Sequence, residues 1–313
     1  MKVIRWIFLL GVLGSGCNKV NDIQPNDTEE NIPVSAIEAV TGKFPQAKEL
    51  VFKTLEKNQV WQVNFSQNAA RFSAATNQQR LLVAYQVENR SLPDSLTSLV
   101  RNTVIDGGTF SNLRLQNYFW YGNATNNGQL ILADYDWRGS RYTIRWNVSN
   151  VNGRITYVTE MLPYHQLEYR TETLANLPAI IQKSLQDQQA DFNYAVVQVG
   201  QNTEKRYVLT VRQATNTPTL TYNDEGTLLG VTNLPNTQYY TAIDQLPSAI
   251  QTYLRNTSEL SGFDVGGQFP LLSKTNYGTI ETYTVNLQKG RETWFMTFNS
   301  NGELITRSYL NLV

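Results

Sequence analysis

Four segments of the chain begin with an apolar residue followed by proline and continue with apolar positions at helical spacing. In the clearest one, Leu177 directly precedes Pro178, and Leu177, Ile181 and Leu185 stand at every fourth position. That spacing puts the three side chains on one face of a helix. Proline suits the start of a helix because its missing N–H would have no partner there. Matching segments start at Leu246-Pro247, Leu92-Pro93 and Ile32-Pro33, so the pattern predicts four short helices.

Alternating apolar and polar positions follow each predicted helix, which indicates half-buried strands. Examples are the stretches 60–65, 142–146, 207–211 and 283–287. Glycine after Asn or Asp marks predicted tight turns at Asn152-Gly153, Asp224 to Gly226 and Asn301-Gly302. Each predicted unit is therefore one helix with about three or four antiparallel strands.

These units predict an α+β fold made of tandem repeats of a helix packed on a small antiparallel β-meander. One unit is too small to bury its sheet well, so we expect the four units to pair into two domains. The expected units cover about residues 32–88, 89–165, 171–233 and 240–313, and the expected domains are 32–165 and 171–313.

The first residues read as an export signal with a lipidation site. Lys2 and Arg5 precede a short apolar run, and small residues lead to Cys17, the only cysteine. This arrangement resembles a bacterial lipobox, so residues 1–17 are predicted as signal peptide and lipidated Cys17. The alternative is an ordinary secretory leader with an incidental cysteine. Residues 18–31 are polar and without periodicity, which predicts a flexible tether.

The helices that start with Leu-Pro, the element Phe44-Pro45 followed by Ala47, and the closures Asn223 to Leu228 and Asn299 to Leu304 together resemble the PepSY-like proteins. Those proteins have the fold of β-lactamase-inhibitor protein and occur as exported lipoproteins of Bacteroidetes. The resemblance covers roughly residues 32–313. It implies duplicated helix-on-sheet units and a binding role, but no inhibitory loop can be placed on this sequence.

Charge and candidate chemistry narrow the function further. The formal net charge is zero, and without a concentrated basic region we predict no nucleic-acid partner. His165 is the only histidine, and without a nucleophile or a His/Cys cluster beside it we predict no catalytic site, no metal and no cofactor. A pair of carboxylates could still serve a glycosidase. Asp134 and Asp136 could bind Ca²⁺ weakly or form a polar turn.

An aromatic concentration is the candidate binding face. Large rings that face solvent suit protein or glycan partners, whereas the alternative is that both faces are buried. We therefore predict a non-enzymatic lipoprotein of the cell envelope, in the outer membrane, that binds a protein or peptide and is directed at a peptidase. The alternative is binding of envelope polysaccharide through that face. The candidate residues are Tyr118, Trp120, Tyr121, Tyr135 and Trp137.

Overall fold

The computed structural model describes residues 32–120, 129–151, 154–232, 237–266, 271–278 and 280–312. Each of its α-helices begins directly after a proline of the predicted pattern. That proline is the N-cap residue and has an extended backbone conformation. The predicted helix starts are therefore confirmed. Within these residues no helix is long and apolar enough to cross a membrane. The helices are α1 (Val34–Thr41), α2 (Asp94–Thr97), α3 (Ala179–Asp187) and α4 (Ser248–Asn256).

Strands make up most of the described chain, and their bounds are as follows. They are β1 (Lys48–Glu56), β2 (Val60–Gln67), β3 (Ala70–Asn77), β4 (Leu81–Val87), β5 (Thr109–Phe119), β6 (Gln129–Trp137), β7 (Ser140–Val151), β8 (Arg154–Pro163), β9 (Leu167–Thr171), β10 (Asp191–Val199), β11 (Lys205–Arg212), β12 (Thr219–Asn223), β13 (Leu228–Thr232), β14 (Thr237–Tyr239), β15 (Leu271–Tyr277), β16 (Ile280–Lys289), β17 (Glu292–Asn299) and β18 (Leu304–Leu312).

The strands form two antiparallel sheets. A large sheet of 13 strands runs in the order β1 to β8 and then β18, β17, β16, β15 and β14. A small sheet of 5 strands contains β9 to β13 in chain order. The large sheet is continuous because β8 pairs with β18, with Met161 opposite Tyr309 and Val158 opposite Leu312.

The prediction of tandem helix-on-meander units was wrong, because these strands do not close into separate small sheets. β8 and β18 are the last strands of two successive meanders. Each would present an open edge if its meander stood alone, and the two edges instead form backbone hydrogen bonds with each other. Alternation in the sequence reports which side chains face a core, and it does not report which strand edges meet. The expected domain limits remain a prediction. β8 and β18 pair across them, and the stretch between the two expected domains, 166–170, belongs largely to β9 (Leu167–Thr171).

The small sheet lies across one face of the large sheet and touches both of its halves. β9 contacts β3 and β4, whereas β13 contacts β15, β16 and β17. In a flat sheet β4 and β16 would lie seven spacings, or about 33 Å, apart, whereas β9 to β13 span only about 19 Å. The large sheet therefore bends around the small sheet.

Three hydrophobic clusters fill the space between these layers. α1 covers β1 to β4, with Trp61 fully buried beneath it. α2 and α4 share one core on the large sheet that includes Trp146 and Trp294. α3 and the small sheet share the third cluster with inward side chains of β1 to β4. The predicted signal peptide, Cys17, the tether and the turn at Asn152-Gly153 lie outside the described residues.

Candidate functional site

Two of the predicted aromatic positions, Tyr135 and Trp137 on β6, lie in the core. Their exposed fractions are 1% and 2%. The Tyr135 hydroxyl donates to the Ile105 carbonyl, and the Trp137 indole N–H donates to the Asp106 carbonyl at 3.1 Å. Both rings therefore anchor the loop after α2, and neither offers a ring face to a glycan.

Tyr118 and Trp120 are half-buried near the end of β5, and each contacts a different part of the protein. The Lys43 ammonium lies 5.4 Å from the Tyr118 ring centroid. The Trp120 indole N–H donates to the Arg170 carbonyl of β9 at 3.0 Å, which ties the large sheet to the small one. Tyr121 lies outside the described residues. Tyr135 and Trp137 thus lie in the core, Tyr118 packs against the cluster under α1 and Trp120 lies between the sheets, so the described candidates do not share one surface.

A buried ion pair occupies the centre of the large sheet. Arg114 on β5 and Asp134 on β6 are 5% and 1% exposed, and the guanidinium Nη2 lies 2.7 Å from Asp134 Oδ1. The other carboxylate oxygen accepts from the Asn112 amide at 2.8 Å and from the Tyr164 hydroxyl at 3.3 Å. Every oxygen of Asp134 is therefore engaged by a donor of the protein.

The expectation that Asp134 and Asp136 could bind Ca²⁺ weakly conflicts with the donors that already occupy their carboxylate oxygens. Asp136 is exposed and pairs with Arg141 at 2.9 Å, and the hydrogen bond from that guanidinium lowers the pKa of its carboxyl group. Each carboxylate thus pairs with an arginine, whose guanidinium occupies the position that a metal cation would need. Among the described residues, no group of three or more His, Cys, Asp or Glu side chains is arranged to hold a metal ion.

His165 lies beside this pair and is 1% exposed. Its Nδ1 lies 3.0 Å from the Pro163 carbonyl, so Nδ1 carries the proton and donates it. Nε2 lies 3.7 Å from Glu168 Oε2. Burial lowers the pKa of His165, although the Glu168 charge opposes the shift. The ring is therefore neutral at pH 7.

Glu168 on β9 completes this network between the two sheets. Its carboxylate lies 3.4 Å from Arg145 and accepts from the Gln198 amide at 2.9 Å. Burial alone would raise the pKa of Glu168, but the charge of Arg145 and the Gln198 hydrogen bond lower it. Most polar atoms of this network have partners within the protein, as in a structural polar core, but the buried Arg114 Nε and His165 Nε2 have no hydrogen-bond partner among the described residues.

A cleft of about 370 Å³ lies next to the network, at one end of the small sheet. Tyr164 and Gln198 line it and turn their polar atoms towards Asp134 and Glu168. Most of the rest of the lining comes from the start of β11 and from the turns that follow β10 and β12. Its lining includes Glu204, Lys205, Arg206, Asp224 and Glu225.

Two neighbouring cations in the cleft have different environments. The Lys205 ammonium lies 2.9 Å from Glu56 and 3.5 Å from Asp224, so its charge is compensated. The Arg206 guanidinium donates only to neutral acceptors on β18, the Thr306 hydroxyl at 2.9 Å and the Ile305 carbonyl at 3.3 Å. Within the described part of the chain, no carboxylate forms an ion pair with Arg206.

A second concavity, a groove of about 550 Å³, lies on the face of the large sheet beside β1. Its wall includes Val51, which is 37% exposed, and its floor is polar at Asn64 and Ser66. The Ser66 hydroxyl donates to Glu49 at 2.9 Å. We call this concavity, together with Val51–Lys53 of β1, the β1 groove.

Sequence reasoning missed Arg114, Glu168 and Arg206, all of which lie on strands. A charged residue at an alternate position of an apolar strand, such as Arg114 between Leu113 and Leu115, is the only signal that could have marked them. Whether such a residue faces solvent or a second sheet depends on the packing of the two sheets.

Comparison with known protein families found no match, and no curated protein matched either. Among solved structures, one from Bacteroides vulgatus ATCC 8482 has 15% sequence identity and a TM-score of 0.22, and the alignment covers 45% of this chain and 98% of that chain. It is a protein of unknown function that is provisionally described as periplasmic. A likeness this weak supports no conclusion about fold or function.

Proposed function

We propose that the chain is a non-enzymatic protein that binds an extended segment of a protein or peptide in the β1 groove. The observation that carries this proposal is the position of β1. Among the described residues it is the end strand of the large sheet, and it borders a groove on the sheet face that contains the apolar Val51 and the polar Asn64 and Ser66. Strand addition to such an edge supplies main-chain hydrogen bonds, and adjacent pockets select side chains.

The geometry of β1 limits the binding edge to a short segment. The register with β2 is regular from Val51 to Thr54 and is interrupted before and after this stretch. On the N-terminal side, Glu49 has a positive φ of 57°. In an antiparallel strand alternate residues direct their N–H and C=O groups away from the paired neighbour. A ligand strand would therefore be held over Val51–Lys53 and would place alternate side chains on the sheet face that carries the groove.

The non-enzymatic part of the proposal is supported by the surroundings of His165. Its ring is buried, and Thr143, the hydroxyl residue bonded to it, contacts its backbone N–H and C=O. General base catalysis needs a ring nitrogen within reach of a nucleophile and of substrate. The His165 ring faces Glu168 and the Pro163 carbonyl.

Selection from a displayed library of random peptides against residues 18–313 tests the binding proposal. Selected peptides should bind about tenfold more weakly to Val51→Glu, because the substitution removes an apolar contact and places a charge at the edge. Val34→Glu is the matched control, since Val34 is a 69% exposed valine on α1 that does not line the groove. Bound peptide should also slow amide exchange in Val51–Lys53. Equal binding to both variants, or protection elsewhere, would contradict the proposal.

We further propose that Cys17 carries lipid and anchors the protein in the cell envelope, in the outer membrane, with residues 18–31 as the tether. Small residues before a single cysteine at the end of an apolar leader support this. Cys17→Ala should move the protein from the detergent phase to the aqueous phase without changing its melting temperature. Ser15→Ala, which keeps the thiol, is the control. Continued detergent partitioning of Cys17→Ala would exclude lipidation at this residue.

A further inference from the structure

Arg206 has an uncompensated charge in the cleft at the end of the small sheet. The side chain is partly buried, and burial is the one cause that lowers its pKa. Arginine remains protonated in proteins even so, because its ordinary pKa is far above neutrality. A cation removed from water without a counter-ion is costly to the fold. Its fork also carries more N–H donors than the two hydrogen bonds to Thr306 and Ile305 use.

We propose that this cleft is a binding site for a carboxylate, with Arg206 as the group that holds it. The planar guanidinium matches a carboxylate in geometry and accepts it through paired hydrogen bonds. The proposal is independent of peptide binding at β1, because the cleft and the β1 groove share no lining residue.

The remaining wall of the cleft defines the rest of the ligand. Glu204, Asp224 and Glu225 line the same space and are exposed. Their charges disfavour a doubly charged phosphate and favour an amine at a distance from the carboxylate. A volume of about 370 Å³ is at the small end of ligand pockets. The chemistry therefore fits a small zwitterion, which could be a free amino acid or a short peptide.

The Nε–Hε resonance of Arg206 in ¹⁵N-labelled residues 18–313 gives a direct test, and its loss in Arg206→Gln assigns it. The probes are alanine, trialanine and trialanine amidated at its C-terminus. Alanine or trialanine should shift the resonance, and the amidated peptide should not. The stronger of the two active probes identifies the source of the carboxylate. The Arg141 signal is the internal control, because Arg141 already pairs with exposed Asp136.

Two results would overturn the proposal. One is the absence of any shift with either carboxylate at about 10 mM, which corresponds to binding too weak to be specific. The other is an equal shift with the amidated peptide, which would mean that the carboxylate is not recognised.

Thermal stability separates this role from a purely structural one. If Arg206 only ties β11 to β18, Arg206→Met should lower the melting temperature. If its charge is kept for a ligand, Arg206→Met should leave the melting temperature unchanged or raise it by about 2–4 °C. It should also abolish any rise in melting temperature that trialanine gives in the unmodified protein. A lower melting temperature in the variant would count against the proposal.

Discussion

The hydroxyl of Tyr85 donates a hydrogen bond of 3.0 Å to the backbone carbonyl of Glu168. Tyr85 is on β4 of the large sheet and Glu168 is on β9 of the small sheet, so this single bond crosses between the two layers. Tyr85 is 2% exposed, and the bond is shielded from water. Main-chain ladders hold each sheet together, whereas side-chain bonds of this kind fix how the sheets lie on one another.

Tyr85→Phe should therefore lower the free energy of unfolding by about 1–2 kcal/mol, because it removes a buried hydrogen bond while keeping the ring in place. Urea unfolding measures the change. Tyr239→Phe is the control, since Tyr239 is 70% exposed and its loss should cost less than about 0.5 kcal/mol. Equal effects of the two substitutions would mean that the Tyr85 hydroxyl does not hold the sheets together.

Breaking the Arg114–Asp134 ion pair should lower the free energy of unfolding by a larger amount. Asp134→Asn leaves the Arg114 charge buried without its partner and should cost about 3–5 kcal/mol. The double variant Arg114→Met with Asp134→Leu should recover much of this loss, because no unpaired charge remains. Asp187→Asn tests an exposed pair with Lys183 at 2.8 Å and should cost less than about 0.5 kcal/mol. A double variant that is less stable than Asp134→Asn alone would show that the pair contributes more than mutual compensation.

These internal contacts show what the sequence could and could not predict. The helix starts after Pro33, Pro93, Pro178 and Pro247 were predictable, because proline and helical spacing act within a few residues. The thirteen-stranded sheet was not, because it depends on the pairing of β8 in the middle of the described chain with β18 at its end, where Met161 lies opposite Tyr309. The arginines of the candidate site escaped for the same reason. Arg206 meets Thr306 only after both sheets have formed.

Gly302 is a position where local sequence and tertiary contact agree. It was predicted as a turn glycine and has a φ of +79° in the turn between β17 and β18. A Cβ there would lie 2.6 Å from the Ala249 Cβ and 3.2 Å from the Ile250 nitrogen of α4. The turn thus rests directly on the first turn of the helix.

Gly302→Ala should cost about 2–4 kcal/mol, through backbone strain and through the clash with α4. Gly139→Ala is a matched control, because Gly139 has a φ of +77° and its added Cβ would meet nothing within 4 Å. That variant should show the backbone strain alone, about 1–2 kcal/mol. Thermal unfolding of both variants measures the difference, and equal losses would exclude a contribution from the contact with α4.

The buried His165 ring predicts a pH dependence of stability. Arg114 and Arg145 act with burial to lower the pKa of His165 below its ordinary value of 6.5, and Glu168 opposes them. The unfolded chain then binds more protons than the folded chain below about pH 6.5. Stability from the neutral ring is fully present above that pH and is lost as the pH falls towards the folded pKa. Glu168 has a pKa lowered from 4.5, so its own contribution is lost only below that value.

Because His165 is the only histidine, the interval between these two values isolates its contribution. Urea unfolding at about pH 7.5 and about pH 5 should show a loss that approaches 1.4 kcal/mol per pH unit in the unmodified protein. His165→Asn can keep a donor to the Pro163 carbonyl but cannot be protonated, so most of this loss should disappear. If the unmodified protein instead became more stable as the pH fell, the ring would be protonated in the fold and paired with Glu168. The neutral assignment would then be wrong.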